Sequence, residues 1–318
     1  MRIGMGCWAI GGAMTWDGAS VGYAGADDGD ARDALRAAYG AGVRVFDTAQ
    51  AYGAGHSERL IGEVLRHAED AVIVSKIGIG IEEGTRRLTG ERTDAAYVAE
   101  AIEGSRTRLR RDRVEVMLLH LNELPPEAAA PVFDAMEEAR AAGRIGSYGW
   151  STDFPGSVSA MRDRAGFEAV EFACNVLEDA PSMVAASDSL LQLVRSPLAM
   201  GLLTGKYQSG AHVAPGDVRA SGSDWNDWFE GTAPNRRHTS RIEALREVLT
   251  SGGRTLGQGA LCWLLARGPG LVPVPGARSP AQAEENAGAA AHGPLTAAEM
   301  EEIEAILERP PEGPPRPR

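Results

Sequence analysis

Lysine is almost absent from this 318-residue chain: of its 32 basic residues, only Lys76 and Lys206 are lysines. Where arginine fills nearly every cationic role, a surviving lysine is a candidate for work that needs a compact ammonium with a tunable pKa. Cysteine is scarce as well. Cys7, Cys174 and Cys262 are too few and too dispersed for a disulfide framework or a zinc site, so no metal is expected. No stretch reaches 18 apolar residues, which argues against a membrane span. The Gly-rich opening run, residues 1–12, has one Arg and no apolar signal-peptide core. Positive charge is in deficit, with 44 acidic residues and a net charge of −12 at pH 7. That balance argues against nucleic acid or an anionic membrane as the main partner, while leaving room for a local basic pocket. Together these absences lead to the expectation of a soluble, cytoplasmic protein.

What is present is enough to build a large core: 43% of residues are hydrophobic and 24% charged. Short β-branched runs alternate with Ala- and Leu-rich helical stretches from end to end. Strands are expected at residues 2–7, 43–46, 71–75, 114–119, 145–150, 168–172, 190–194 and 270–274. Helices are expected at 30–39, 57–66, 94–109, 127–141, 156–164, 241–250, 255–266, 279–290 and 296–308. Eight strands with helical crossovers point to an α/β fold, a (β/α)8 TIM barrel in one domain over residues 1–308. The alternative is an open doubly wound sheet, but its G-x-G-x-x-G fingerprint is missing; Gly78, Gly80 and Gly84 have the wrong spacing. A long loop after strand 7, residues 208–238, carries Trp225, Trp228 and Phe229 and reads as a binding loop. Residues 309–318 form a Pro-rich tail that is expected to be disordered.

Polar residues collect at the C-terminal ends of adjacent expected strands, the face where barrel enzymes place their sites. Asp47 follows Val45-Phe46, with Tyr52 five residues on; Lys76 ends one strand and His120 the next. These four suit acid catalysis at a carbonyl. A free phenol has a pKa near about 10, too high for easy proton delivery at neutral pH. An adjacent ammonium is expected to lower it, with a carboxylate keeping that ammonium charged. A neutral imidazole can orient a carbonyl oxygen.

The sequence resembles the aldo-keto reductase family, in its bacterial members, over essentially the whole chain. The run from Gly42 through Phe46-Asp47-Thr48-Ala49 to Tyr52-Gly53, with Ser57-Glu58, is similar to the family's first signature. Ser75-Lys76, Leu118-Leu119-His120 and Gly149-Trp150-Ser151-Thr152 match the next three. The run Ser196-Pro197-Leu198-Ala199-Met200-Gly201 to Gly205-Lys206-Tyr207 resembles the loop that straddles the cofactor pyrophosphate. Val274-Pro275-Gly276-Ala277-Arg278, then Glu285-Asn286, resembles the adenosine-phosphate site. The resemblance implies NADPH-dependent reduction of an aldehyde, ketone or keto-sugar carbonyl to an alcohol. Tyr52 is then the proton donor, Asp47 and Lys76 tune it, and His120 orients the carbonyl. It implies NADP(H), with NAD(H) as the alternative, bound by Ser151, Thr152, Glu171, Asn175, Arg195, Ser196, Pro197, Leu198, Gly201, Gly205 and Lys206. Gly276, Arg278, Gln282, Glu285 and Asn286 complete that set. Ser151, Glu171 and Asn175 would hold the carboxamide, and Lys206 would act as a point charge on phosphate. Trp8, Trp225 and Trp228 are candidate walls for a small-molecule carbonyl substrate.

Several positions depart from the family pattern. Glu171 stands where many relatives have Gln, and Arg195 where many stack an aromatic ring on the nicotinamide. Gln282 lies where an Arg often meets adenine or the 2′-phosphate, which leaves Arg278 to supply that charge. The plug hairpin beneath the barrel is expected to be missing or very short. Other functions remain open at this point: a nicotinamide-binding regulatory or interaction subunit, a redox-neutral or eliminating enzyme, or a Schiff-base aldolase using Lys76.

Overall fold

The β-branched runs become eight parallel strands in the computed structural model, which describes residues 2–208, 210–223 and 226–313. They are β1 (Met5–Gly6), β2 (Val45–Asp47), β3 (Val72–Ile77), β4 (Val114–Leu119), β5 (Ile145–Ser151), β6 (Phe167–Ala173), β7 (Leu191–Arg195) and β8 (Leu271–Pro273). Each strand pairs with the next in sequence. The ends meet through a parallel bridge between Gly6 and Gly276, with Gly4 N and Gly6 N donating to Pro273 O and Pro275 O at 2.9 and 3.0 Å. A Cβ at Gly6 would lie 2.6 Å from Val274 O, so only glycine lets β1 approach β8 this closely. This is a (β/α)8 barrel and a single domain, and the long loop does follow β7. The first strand is much shorter than the run 2–7, because on its β8 side an isolated bridge and two backbone hydrogen bonds stand in place of a ladder.

Between the strands lie helices with readable starts. Asp27, Asp94, Thr255, Ser279 and Thr296 each accept a backbone N–H of the first turn, and Thr255 and Thr296 form full capping boxes. The helix expected at 241–250 begins earlier, at Arg236, because Asn235 caps it. A short helix at Pro181–Ala186 has too few residues to show a helical period and was not expected. No helix among the described residues is long and apolar enough to cross a membrane.

Two cores follow from the period of two along each strand. Val45, Val72, Val74, Val116, Leu118, Ala169, Leu191, Leu193 and Val272 pack together as one cluster, filling the barrel interior. Their alternate partners, such as Phe46, Ile73, Met117, Val170 and Phe172, pack outward into the larger cluster beneath the helices. Extending the inward phase by one step on each strand brings Asp47, Lys76, His120, Glu171 and Arg195 to one end of the barrel.

That end carries an accessory sheet with no counterpart in the sequence expectations. Strands Thr15–Trp16, Ala19–Ser20, Ile79–Glu82 and Arg87–Glu91 form it. Its two-residue strands are too short to signal themselves, and the hairpin lies after β1 rather than before it. At the other extreme of the chain, Arg309 donates to Val176 O at 2.5 Å and pairs with Glu304 at 2.7 Å. Ordered contacts thus run past residue 308, and residues 314–318 lie outside the described residues.

Candidate active site

Tyr52 is held by a turn rather than a strand. Its N–H donates to Ala49 O and its carbonyl accepts from Ser57 N, while Gly11 approaches so closely that a Cβ there would lie 2.8 Å from the Tyr52 carbonyl carbon. The phenol therefore points at a fixed place. Lys76 Nζ reaches it at 3.2 Å, Thr48 O at 3.0 Å and Asp47 Oδ1 at 2.5 Å. His120 follows β4, its N–H bound to Ile77 O at 2.7 Å, and its ring stands edge-on to Tyr52 with centroids 5.8 Å apart. Trp8 lies nearly parallel to the phenol on another side, 5.9 Å away at 19°. The four residues expected to act together are together.

Their electrostatics differ from the expectation in one respect. Burial raises the Tyr52 phenol above its ordinary value; Lys76 opposes that, while Asp47 and Glu171 add to it, and the net direction is upward. Burial also works against the Lys76 ammonium, but Asp47, Glu171 and Tyr52 outweigh it and hold Lys76 charged. His120 lies well below its ordinary value through burial and the nearby Lys76 and Arg195 charges. It is a neutral ring, and its buried Nδ1 has no hydrogen-bond partner in the structure.

A cavity of about 590 Å³ opens above this group and runs to the far rim of the barrel. Around Tyr52 it is lined by Trp8, Met14, Trp16, Tyr23, Ile79 and Leu88, with Glu91, Asn122 and Glu123 as polar contributors. Ser151 and Arg195 line its middle. Asp153 fixes the Arg195 guanidinium at 2.5 Å. Beyond them come Ser196, Pro197, Leu198 and Gly201, where Ser196, Ala199, Met200 and Gly201 all have left-handed backbone. Such runs turn backbone dipoles toward an anion. At the far end stand Gly276, Arg278, Gln282, Glu285 and Asn286. Ser279 caps the helix there, Gln282 Oε1 accepts from Arg278 N at 2.9 Å, and Asn286 donates to Gly276 O at 3.3 Å.

Three cations face this end: Lys206, Arg278 and Arg219. Arg219 belongs to the long loop and was not expected. Its guanidinium binds both oxygens of Asp217, donates to Tyr207 Oη at 2.6 Å and lies 4.9 Å over the Tyr23 ring. The loop is tied to the segment after β1, with Val218 N donating to Gly22 O at 2.9 Å and Ala24 N to Asp217 at 3.2 Å. It straps the cavity. Burial, with Arg219 and Arg278 nearby, pulls Lys206 down to about 8.

Not every expected residue meets the cavity. Thr152 Oγ1 donates to Asn122 O at 2.7 Å, and Asn175 caps its own turn, accepting from Leu177 N and Glu178 N. Neither lines the cavity, because each is consumed by backbone groups. Gly205 also lies off it, ending a short turn with φ 79°. Glu171 points to the barrel interior instead of the cavity and pairs with Lys76 at 3.1 Å. Trp228 is buried against His238, centroids 4.5 Å apart, and staples the loop down rather than walling a substrate. Trp225 lies outside the described residues. Trp16, Tyr23 and Leu88 were missed because they stand on or beside the accessory sheet.

Comparisons with known proteins agree with this fold. The model of the aldo/keto reductase family matches residues 2–308. An uncharacterized oxidoreductase of Mycobacterium tuberculosis is 32% identical over 297 residues, covering 91% of this chain and 84% of that one. The NADH-specific methylglyoxal reductase of Escherichia coli is 25% identical, covering 91% and 89%. Among solved structures, the aldo-keto reductase of Klebsiella pneumoniae in complex with NADPH superposes with a TM-score of 0.69 at 22% identity, covering 98% and 92%. The family match and relatives named oxidoreductase and reductase place the chain in the class of NAD(P)H-dependent oxidoreductases. This chain belongs to the aldo/keto reductase family.

Proposed function

We propose that this protein reduces an aldehyde, ketone or keto-sugar carbonyl to an alcohol, with NADP(H) as the preferred cofactor and Tyr52 as the proton donor. The observation that carries the reading is the Tyr52 phenol held 3.2 Å from Lys76 Nζ at the foot of the cavity. The residues present fit the cofactor. Left-handed backbone at residues 199–201, with Lys206, Arg219 and Arg278 beside it, offers charge and dipoles for its phosphates. Arg278 at the far end favours a 2′-phosphate, and NAD(H) remains the alternative. When bound, the nicotinamide supplies the hydride.

The chain's own groups do the rest. A phenol raised by burial stays protonated through the neutral range, so Tyr52 Oη is ready to give its proton to a carbonyl oxygen. Oxidation of an alcohol would need the phenolate, so the same shift favours reduction. Lys76, held charged, stabilises the phenolate as it forms. A charged Lys76 is also no amine nucleophile, which argues against a Schiff-base aldolase. His120, neutral, offers a ring nitrogen to the carbonyl oxygen without adding a second cation. The apolar and aromatic wall around Tyr52 suits an uncharged carbonyl compound, and Glu91 and Glu123 disfavour a carboxylate on it.

The test is NADPH oxidation with a reactive aromatic aldehyde, run beside Tyr52→Phe. Wild type should turn over. The variant should lose about 10²–10⁴-fold in kcat while binding NADPH within a fewfold. A variant with most of its activity would remove Tyr52 from the role.

A further inference from the structure

The inner layer at the cavity floor contains one ammonium and two carboxyl groups. Lys76 Nζ lies 2.5 Å from Asp47 Oδ1 and 3.1 Å from Glu171 Oε2. The three side chains are 0, 5 and 1% exposed, so water screens none of them. We propose that Glu171 is a positioning residue of the proton-donor centre: with Asp47 it clamps the Lys76 ammonium, and the two carboxyls share one proton. The clamp sets the pH range over which Tyr52 gives up its own proton. The last step rests on Tyr52 being the donor.

The argument begins with charge. One buried ammonium balances one carboxylate, and a second bare carboxylate in the same dry layer is strongly unfavourable. Two carboxyls this close settle the conflict by holding a proton between them. Both carboxyls approach the same Nζ, at 2.5 and 3.1 Å, which brings them to within a few ångströms of each other. Burial and then Glu171 raise the Asp47 carboxyl far above the carboxylate range, against the pull of Lys76. The other groups facing the layer cannot relieve it. Cys7, just after β1, is pushed up by burial and by Asp47 and stays a neutral thiol. Tyr52 is a neutral phenol and His120 a neutral imidazole. Arg195, from β7, is committed to Asp153.

Glutamine could not do this. An amide at position 171 could accept from Lys76 but would bring it no charge and would hold no titratable proton. It would also withhold the second negative charge that the pair gains on losing its proton, a charge that raises the Tyr52 phenol. Glu171 thus acts on Tyr52 through Lys76 and through space.

Three measurements test the clamp. First, the alkaline limb of the kcat profile for reduction should move to lower pH by about one unit in Glu171→Gln, where one unit is a tenfold change in proton affinity. An unmoved limb would overturn the proposal. Second, stability should report the shared proton without any substrate. A carboxyl raised on folding, as Asp47 is, stabilises below the ordinary carboxylate pKa and loses that contribution as pH rises through its folded value. The Tm of Glu171→Gln should therefore gain on wild type between about pH 5 and about pH 8, and a constant Tm difference would overturn the clamp. Third, wild type itself at about pH 8 should show a protonated-carboxyl stretch in its infrared spectrum that shifts in D2O. Its absence would overturn the shared proton even if the variant fails to fold. Wild type lacking carbonyl reduction would sink the functional reading alone, since the Tm and infrared results still decide the clamp.

Discussion

The two ends of the cavity are built by opposite means. At the catalytic end Asp47, Lys76, His120 and Glu171 follow strand phases, and each is fixed by a parallel ladder below it. At the far end Lys206, Arg219 and Arg278 stand on loops, held by side-chain and backbone contacts such as Arg219 with Asp217 and Arg278 with Ala24 O. Strands allow no adjustment, which suits proton transfer over a few tenths of an ångström. A strapped loop can open and close, which suits admitting a long ligand. In the proposed function, chemistry and ligand retention are thereby separated in the chain.

That comparison can be broken at several points. The largest effect is expected at the rigid end. Lys76→Arg should lower kcat by at least about 100-fold, since a planar guanidinium cannot replace a compact ammonium between two carboxyls. Wild-type rates would mean that the layer tolerates adjustment. At the strapped end, Arg219→Ala should weaken NADPH by about tenfold with kcat at saturation nearly unchanged, as equilibrium fluorescence titration and steady-state kinetics can measure. A fall in kcat alone would erase the distinction between the two ends.

A smaller, pH-dependent effect follows from Lys206. Its free pKa is about 8, and a bound phosphate raises it. Affinity for NADPH should be full below pH 8 and fall as pH rises above it, by at most about tenfold per unit until the bound-state pKa is reached. Lys206→Arg, which keeps its charge, should flatten that dependence. Smallest of all, Trp228→Phe should cost about 1–2 kcal/mol in stability and leave KM for the carbonyl unchanged, because the ring packs against His238 away from the cavity. A changed KM would return Trp228 to the substrate wall.

The legibility of the site in the sequence follows the same division. Asp47, Lys76 and His120 end β-branched runs, so pattern alone brought them to one mouth. Glu171 sits in the inward phase two residues after Ala169, as Lys76 does after Val74. Its place in the layer is therefore readable from strand phase, whereas its pairing with Lys76 depends on the closed barrel. Arg219 carried no such signal. It lies 13 residues beyond Lys206 in a Gly- and Asp-rich loop, and only its pairing with Asp217 and stacking on Tyr23 bring it to the cavity. Thr152 and Asn175 are bonded to backbone groups, and nothing local to a sequence says that a backbone group will claim a side chain first.

The sequence by itself determined the barrel, the order of its strands and the residues that end them, because alternation and capping act over a few residues. Only the tertiary structure decided which side of the floor Glu171 would serve, which loop cation would meet the cavity and which tryptophans would line it. Those outcomes depend on contacts between segments far apart in the chain. Burial also reversed the direction of the Tyr52 shift, since desolvation is a property of the closed barrel and not of any one residue.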